Sequence, residues 1–227
     1  DYFSISTPLK SYFVGNEFNK INEIEAALSE GKDIALISDA GTPLISDPGN
    51  ELIQHLISKN FNIVSIPGPS SVLTALTVSG FEINEFQFLG FIPKGGKEKY
   101  EFVVKLINSN SVSVCFTSPK RLVKDLDYFE KEGLDSELVI CRELTKKFET
   151  IYRGTAKSVK NKLPENLKGE ITIVVGPSQS DEEIDIDLDE AIKILLEQKV
   201  PKRELAKSLS LLTNLSVNEL YERVKNL

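Results

Sequence analysis

The chain contains no methionine and no tryptophan, and it has one histidine and two cysteines. Two cysteines, Cys115 and Cys141, are too few for a disulfide framework or a cysteine zinc cluster. The histidine, His55, lies in the amphipathic stretch ELIQHLI, where we expect a structural role. Ser–His and Cys–His catalytic machinery is therefore excluded unless His55 itself serves.

Long apolar runs are also absent. None approaches the roughly 18 residues of a membrane-spanning helix, and no signal peptide opens the chain. These features predict a soluble cytoplasmic protein without a membrane partner. The lack of even an initiator methionine leads us to expect that the sequence begins within a longer protein.

The charge is unevenly distributed along the 227 residues, although the net value is −7. Residues 94–168 hold 16 basic and 11 acidic side chains, whereas residues 1–93 and 169–227 are both acidic overall. No global positive field attracts nucleic acid, but a polyanionic substrate could bind the basic middle segment. Lysines on solvated helix faces would give the same pattern.

Hydrophobic spacing predicts an α/β fold. Apolar runs at Asp33–Ser38, Phe61–Ile66 and Phe86–Phe91 alternate with helical patterns, which favours a mostly parallel sheet. The linker Pro93–Lys97 then precedes a second α/β unit. Beyond it, Asp181–Glu190 carries seven carboxylates and is followed by three short helical patterns. We predict an N-terminal α/β domain (1–92), a second α/β domain (93–178), and an acidic linker with a three-helix tail (179–227).

Two loops are candidates for ligand binding. SDAGTPLISDPG (38–49) and PGPSS (67–71) each follow a predicted strand and precede a predicted helix, where ligands sit in open α/β sheets. Neither loop is a phosphate-binding P-loop or a dinucleotide fingerprint. Because parallel strands end at one edge of a sheet, we expect the loops to converge. Ser70 and Ser71 could instead simply cap the following helix.

These two loops resemble those of the S-adenosylmethionine-dependent tetrapyrrole methylase superfamily. Further matching stretches are FLGFIPK (88–94), CRELTK (141–146) and LKGEITIVV (167–175). The chain is most similar to the branch that methylates a cytidine ribose 2′-hydroxyl in small-subunit ribosomal RNA. One departure is FTSPKR at 116–121, where that branch usually carries Tyr-Glu-Ser-Pro-His-Arg.

The resemblance implies a cleft between two α/β domains that holds S-adenosylmethionine. The cofactor-binding residues it implies are Ala40, Gly41, Thr42, Ile45, Ser70, Ser71, Phe116, Thr117 and Gly176. A base near the weakly nucleophilic hydroxyl would assist methyl transfer, and the candidate catalytic residues are Asp39, Glu143 and Lys146. A salt-bridge or capping role is an equal alternative for each.

The resemblance further implies a ribosomal RNA or ribosomal subunit substrate and a homodimer. The RNA-binding candidates are Lys94, Lys97, Lys120, Arg121 and Arg142. Two alternatives stay open: the same fold acting on a tetrapyrrole or a diphthamide precursor, and a non-catalytic nucleic-acid-binding protein that uses its helical tail.

Overall fold

The computed structural model describes residues 4–178, 188–197, 200–210, 213 and 215–227. They fall into two compact units, one within residues 1–179 and one within residues 180–227. The predicted division of the first unit at residues 92 and 93 stays a prediction. Most of the predicted acidic linker, residues 179–187, lies outside the described residues.

The first unit contains six of the helices and the five strands of the described chain. In chain order they are α1 (Glu17–Ser29), α2 (Asn50–Ser58), α3 (Ser71–Ser79), β1 (Phe86–Phe91), α4 (Gly96–Ile107), β2 (Val112–Thr117), α5 (Pro119–Lys131), β3 (Leu138–Arg142), β4 (Thr150–Gly154), α6 (Ala156–Lys160) and β5 (Ile171–Val175). The second unit contains α7 (Leu188–Glu197), α8 (Lys202–Ser210) and α9 (Val217–Asn226). The chain thus has the mixed α/β fold that its sequence predicts.

The five strands form one sheet in the order β1-β2-β5-β3-β4. Only β1 and β2 are parallel, because β5 is antiparallel to both β2 and β3, and β3 is antiparallel to β4. The prediction of a mostly parallel sheet is therefore wrong. The sequence pattern did not reveal that β5 returns between β2 and β3, since all three strands are almost entirely buried and lack the alternation that distinguishes strand environments.

Helices cover both faces of this sheet. On one face, Leu106 of α4, Phe129 of α5 and Val159 of α6 pack against strand residues that include Cys115 and Ile140. On the other face, buried residues of α3 pack against alternate strand positions; this second cluster comprises Val72, Ala75, Leu76, Val112, Val114, Val139, Cys141 and Val174. The two-sided burial makes this part of the chain the main hydrophobic core.

Two predicted strands, Asp33–Ser38 and Phe61–Ile66, are not strands in the structure. Neither segment belongs to the five-stranded sheet. Their apolar side chains remain exposed, as Ile37, Val64 and Ile66 illustrate. An apolar run indicates only that a segment suits a sheet; a strand also needs a neighbouring strand to satisfy its backbone hydrogen bonds.

The helical predictions fare better. Pro119 opens α5 at its first turn, where proline lacks only an N–H that the helix does not need. In the second unit, Ser216 and Glu219 form a capping box at the start of α9. Leu205, Leu220 and Val224 share an apolar core there with Ile192, so the predicted three-helix tail is confirmed. Among the described residues, no helix has both the length and the apolar character to cross a membrane.

Candidate cofactor and substrate site

The two candidate ligand loops meet in space. Thr42 Oγ1 in the first loop donates a hydrogen bond to the carbonyl oxygen of Pro69 in the second, at 3.0 Å. The contact joins residues 27 positions apart. The predicted convergence of the loops is confirmed, although the strands from which it was argued are absent.

The main chain of the first loop is exposed to solvent. Ser38 Oγ donates to the carbonyl oxygens of Ala40 and Gly41, which fixes the tight turn at the loop's start. Gly41 has φ +75°, and nothing lies within 4 Å of the position a Cβ would take. Asp39, Ala40, Gly41, Thr42 and Ile45 are all exposed. Backbone and side chains here are accessible to a ligand.

The second loop leads into α3 and forms one wall of a cavity. Ser70 caps this helix, accepting a hydrogen bond from the Leu73 N–H at 3.4 Å, while Ser71 is exposed. An open cavity of about 390 Å³ is lined by Gly68, Pro69, Ser70, Leu73, Thr74, Thr77 and Val78. Ser70 therefore has the capping role that its sequence position allowed, and it also lines the cavity; its contact with a ligand stays a prediction.

Strand register defines the edge of the sheet at which these loops lie. Thr117 ends β2 opposite Ile171, the first residue of β5, and Ile171 lies opposite Arg142, the last residue of β3. We call this the carboxyl edge. The C-terminal end of α3 lies at the opposite edge, since Arg153 of β4 hydrogen-bonds the carbonyl of Val78. The N-terminal end of α3, which carries Ser70, therefore points towards the carboxyl edge.

The remaining predicted cofactor residues are not all brought to this edge. Phe116 faces the α3 side, where its ring packs edge-on against Phe88 and Phe91. Thr117 faces the other side of the sheet and donates its hydroxyl to Asp125 Oδ2 at 2.5 Å. Gly176 follows β5 at the opposite edge, where a Cβ would lie 3.0 Å from the Phe81 ring. Of these three, only Phe116 offers its side chain towards α3.

A buried ionic cluster lies beneath the carboxyl edge. Asp125 of α5 forms ion pairs with Lys99 Nζ at 2.6 Å and with Arg121 Nη2 at 3.4 Å. Arg121 also donates to the carbonyl oxygens of Ile92 and Pro93, at 2.9 and 2.7 Å. The guanidinium that we predicted to bind RNA thus fastens the predicted 93–97 linker to α5. Sequence reasoning missed Asp125, for which the only signal was its i,i+4 spacing from Arg121. It assigned Lys99 to the phosphate-binding lysines of the basic middle segment, which is wrong because Lys99 is buried against Asp125.

A second cluster follows β3 and contains the other two catalytic candidates. Glu143 Oε1 accepts from the Glu170 N–H at 2.8 Å and lies 3.2 Å from Lys146 Nζ. The Glu170 N–H, joined by Lys146, lowers the pKa of the Glu143 carboxyl below its ordinary value. The carboxylate of Glu170 raises the pKa of Lys146, which Glu143 raises further. These contacts favour a bracing role over proton abstraction, because a carboxylate with a lowered pKa is a weaker base.

The lysines that we predicted to bind RNA are exposed. Lys94 follows β1, and Lys120 lies in the first turn of α5, directly after β2, so both flank the carboxyl edge. Neither forms an ion pair with any described residue, whereas Lys97 pairs with Glu101 at 3.4 Å. Arg142 donates Nε to the carbonyl of Lys168 at 2.6 Å. Lys94 and Lys120 are therefore the predicted cations most available to a phosphate.

His55 has a place in the packing of α1 and α2. Its Nε2 lies 2.5 Å from Glu25 Oε2 on α1. The hydrogen bond to His55 lowers the pKa of the Glu25 carboxyl. The expected structural role of the histidine agrees with this contact between two helices.

Comparison with known proteins identifies the family. The sequence profile of Tetrapyrrole (Corrin/Porphyrin) Methylases matches residues 6–160. A protein from Mycoplasmopsis pulmonis named ribosomal RNA small subunit methyltransferase I is 40% identical over 176 residues, covering 77% of this chain and 78% of its own. A protein of the same name from Mesorhizobium japonicum is 34% identical over 230 residues, covering 100% and 78%.

Solved structures agree on the fold. A cobalamin biosynthetic enzyme, cobalt precorrin-4 methyltransferase, superposes with a TM-score of 0.56 at 20% identity, covering 75% of this chain and 76% of its own. A diphthine synthase gives a TM-score of 0.58 at 14% identity, covering 73% and 68%. The chain therefore belongs to the tetrapyrrole methylase family, a family of S-adenosylmethionine-dependent methyltransferases.

Proposed function

We propose that this protein methylates the 2′-hydroxyl of a cytidine ribose in small-subunit ribosomal RNA, with S-adenosylmethionine as the methyl donor. The observation that carries the proposal is the Thr42–Pro69 hydrogen bond, which joins both candidate ligand loops near the edge of the sheet that Lys94 and Lys120 flank. Relatives named ribosomal RNA small subunit methyltransferase I, which match up to the whole chain, support the choice of RNA.

The residues around the junction fit the methyl donor. The cofactor combines an apolar adenine with hydroxyl, amino and carboxylate groups, so it requires both apolar wall and hydrogen-bonding main chain. Pro69 and the half-exposed Leu73 supply apolar wall in the cavity, and the open backbone at Gly41 supplies main chain. Thr117 could contribute only its main chain, because its hydroxyl is bound to Asp125. The roles of Ile45, Ser71, Phe116 and Gly176 stay predictions.

When bound, the cofactor supplies a methyl group on a positively charged sulfur, which is an electrophile that needs no acid to activate its leaving group. The chain has to hold the ribose hydroxyl in line with that methyl, and such positioning can lower the barrier by up to roughly 7–11 kcal/mol. Asp39 is the proposed acceptor of the hydroxyl proton, because it is exposed at the start of the first loop and no described residue pairs with it.

The RNA backbone is bound by cations that carry no sequence information. Two features support this role for Lys94 and Lys120: both are exposed, and neither has a carboxylate partner among the described residues. Lys97 and Arg142 would have to exchange present partners, Glu101 and the Lys168 carbonyl, for phosphates. Arg121 acts through its position instead, by holding the linker. The proposal also places the reaction in the cytoplasm and the protein in a homodimer. Sedimentation of the purified protein tests the homodimer.

A methyl-transfer assay separates this proposal from its alternatives. Purified protein is incubated with methyl-labelled S-adenosylmethionine and, in parallel, with small ribosomal subunits from cells lacking the protein or with a porphyrinoid. Label in RNA, located by mass spectrometry on a cytidine ribose, is the expected result. Label in the porphyrinoid alone would replace RNA by a tetrapyrrole as the substrate, and RNA binding without transfer would indicate a non-catalytic binder.

A further inference from the structure

The loop between β3 and β4, residues 143–149, is built to hold one conformation. Glu143 and Thr145 have φ values of +50° and +65°, a left-handed region that is unfavourable for residues other than glycine. Such a backbone persists only where surrounding contacts determine it. A short turn would be enough to join two antiparallel strands. The unfavourable backbone of this longer loop therefore indicates that its particular conformation matters.

Those contacts come from the strand ends and from the turn before β5. Glu143 exchanges two hydrogen bonds with Glu170: its N–H donates to the Glu170 carbonyl at 3.0 Å, and its carboxylate accepts the Glu170 N–H at 2.8 Å. Lys146 Nζ bridges the carboxylates of Glu143 and Glu170, at 3.2 and 2.9 Å. Inside the loop, the Thr145 N–H donates to Glu149 Oε2 at 2.6 Å. The acidic side chains are thus used in bracing the loop.

What the braced loop exposes is an aromatic ring with a lysine ammonium over its face. Phe148 is 62% exposed, while its carbonyl accepts from Thr150 Oγ1 at 3.1 Å. Lys147 Nζ lies over the ring, 5.6 Å from its centre. Neither Lys147 nor Lys168, whose carbonyl is bound by Arg142, forms an ion pair with a described residue. The loop adjoins the carboxyl edge, because Arg142 ends β3 there.

We propose that Phe148 is a stacking surface for one unpaired base of the RNA substrate, with Lys147 and Lys168 binding the adjoining phosphates. This inference rests on the proposed function and adds to it the residue that receives a base. Single-stranded RNA is bound through bases stacked on aromatic side chains and through cations along the backbone. Because the loop backbone that carries the ring is already ordered, less conformational freedom is lost when a base stacks on it. Such stacking favours single strands over duplexes, whose bases are already stacked.

The test compares Phe148→Ala, Phe148→Trp and a control, Phe18→Ala, in the full chain. Phe18 is 78% exposed and lies on α1, so the control removes the same side chain from another surface. The probes are a fluorescently labelled 12-nucleotide single-stranded RNA and the duplex of the same sequence. We expect Phe148→Ala to weaken single-strand binding by about 5-fold to about 150-fold, with duplex binding changed less than about twofold. Phe148→Trp restores the single-strand affinity, since tryptophan also offers a stacking face.

The outcomes separate this inference from the proposed function. Equal single-strand affinity of Phe148→Ala and the native chain, an equal loss for strand and duplex, or an equal loss in the control would overturn the stacking role. So would failure of the native protein to bind the single strand. S-adenosylmethionine affinity and methyl transfer to small subunits are measured on the same preparations. If the native protein methylates small subunits and Phe148→Ala binds the single strand as tightly as the native chain, the stacking role alone is refuted. If single-strand binding depends on Phe148 but no methyl transfer occurs, the proposed function alone is refuted.

Discussion

Lys99 and Asp125 form an ion pair of 2.6 Å in which the side chains are only 8% and 1% exposed. The pair connects α4 to α5, and Asp125 also accepts the hydroxyl of Thr117 at the end of β2. Three elements beneath the carboxyl edge are thereby held by one carboxylate. A buried charge that loses its partner is costly because water cannot replace that partner.

Asp125→Ala is therefore expected to lower the free energy of unfolding by about 3–5 kcal/mol, measured by urea denaturation. Asp127→Ala is the control: Asp127 lies on the same helix and pairs with Lys160, but its side chain is 53% exposed. The control is expected to cost at most about 1 kcal/mol, because water screens an exposed pair. Similar losses for the two variants would show that Asp125 does not hold these elements together.

Gly41→Arg is expected to abolish or greatly weaken S-adenosylmethionine binding, at least about tenfold by calorimetry, an estimate that assumes one lost contact of about 1.4 kcal/mol. The reason is that an arginine side chain would extend from the exposed first loop next to Thr42, the residue that contacts Pro69. The control is Gly31→Arg, at the end of α1, because Gly31 has φ +83° and equally open surroundings. The two substitutions impose similar backbone strain, so equal cofactor affinity would contradict the placement of the cofactor at Gly41.

The two cysteines are expected to be unreactive in the folded protein. Burial raises the pKa of the Cys141 thiol to about 11 and also raises that of Cys115, so little reactive thiolate exists near neutral pH. Titration with a chromogenic disulfide at pH 8 is expected to modify neither thiol before unfolding and both in guanidinium chloride. Rapid modification of two thiols without denaturant would contradict the burial of the sheet.

How far the sequence predicts the site depends on how many residues separate the two partners of each contact along the chain. The two turns themselves were foreseeable, because glycine and proline act locally. The Thr42–Pro69 contact spans 27 positions, and its prediction relied on two parallel strands that the structure does not contain. The direction of the Thr117 side chain was not foreseeable, since both faces of β2 are buried and the apolar pattern is the same on each. Lys99 resembles any helix-surface lysine in the sequence; its partner lies 26 residues away, and only tertiary packing brings the two together.

Lys94 and Lys120 are expected to contribute to the salt dependence of RNA binding. Replacing both with alanine should reduce the slope of log affinity against log salt by about 1.4 for single-stranded RNA, because each phosphate contact contributes about 0.7. Lys157→Ala is the control for charge. Lys157 is exposed and lies on α6. This helix follows β4, which ends at the edge of the sheet opposite the carboxyl edge. A slope unchanged by the double substitution would remove these lysines from the RNA interface.

Glu143→Gln is expected to destabilise the protein in a pH-dependent way, by about 1 kcal/mol or less because the site is close to solvent. The folded state holds the pKa of the Glu143 carboxyl below its ordinary value of 4.5, mainly through the Glu170 N–H. The charged carboxylate therefore stabilises the fold above that value, and the contribution is lost as pH falls through the folded pKa.

The difference in unfolding free energy between the native chain and the variant should be constant from about pH 6 to 8 and decrease as pH falls below 4.5, the ordinary pKa that the carboxyl regains in the unfolded chain. Glu165→Gln is the control, since Glu165 is exposed and no described residue pairs with it. A Glu143→Gln difference that persists unchanged at pH 3 would mean that the carboxylate charge does not brace the loop.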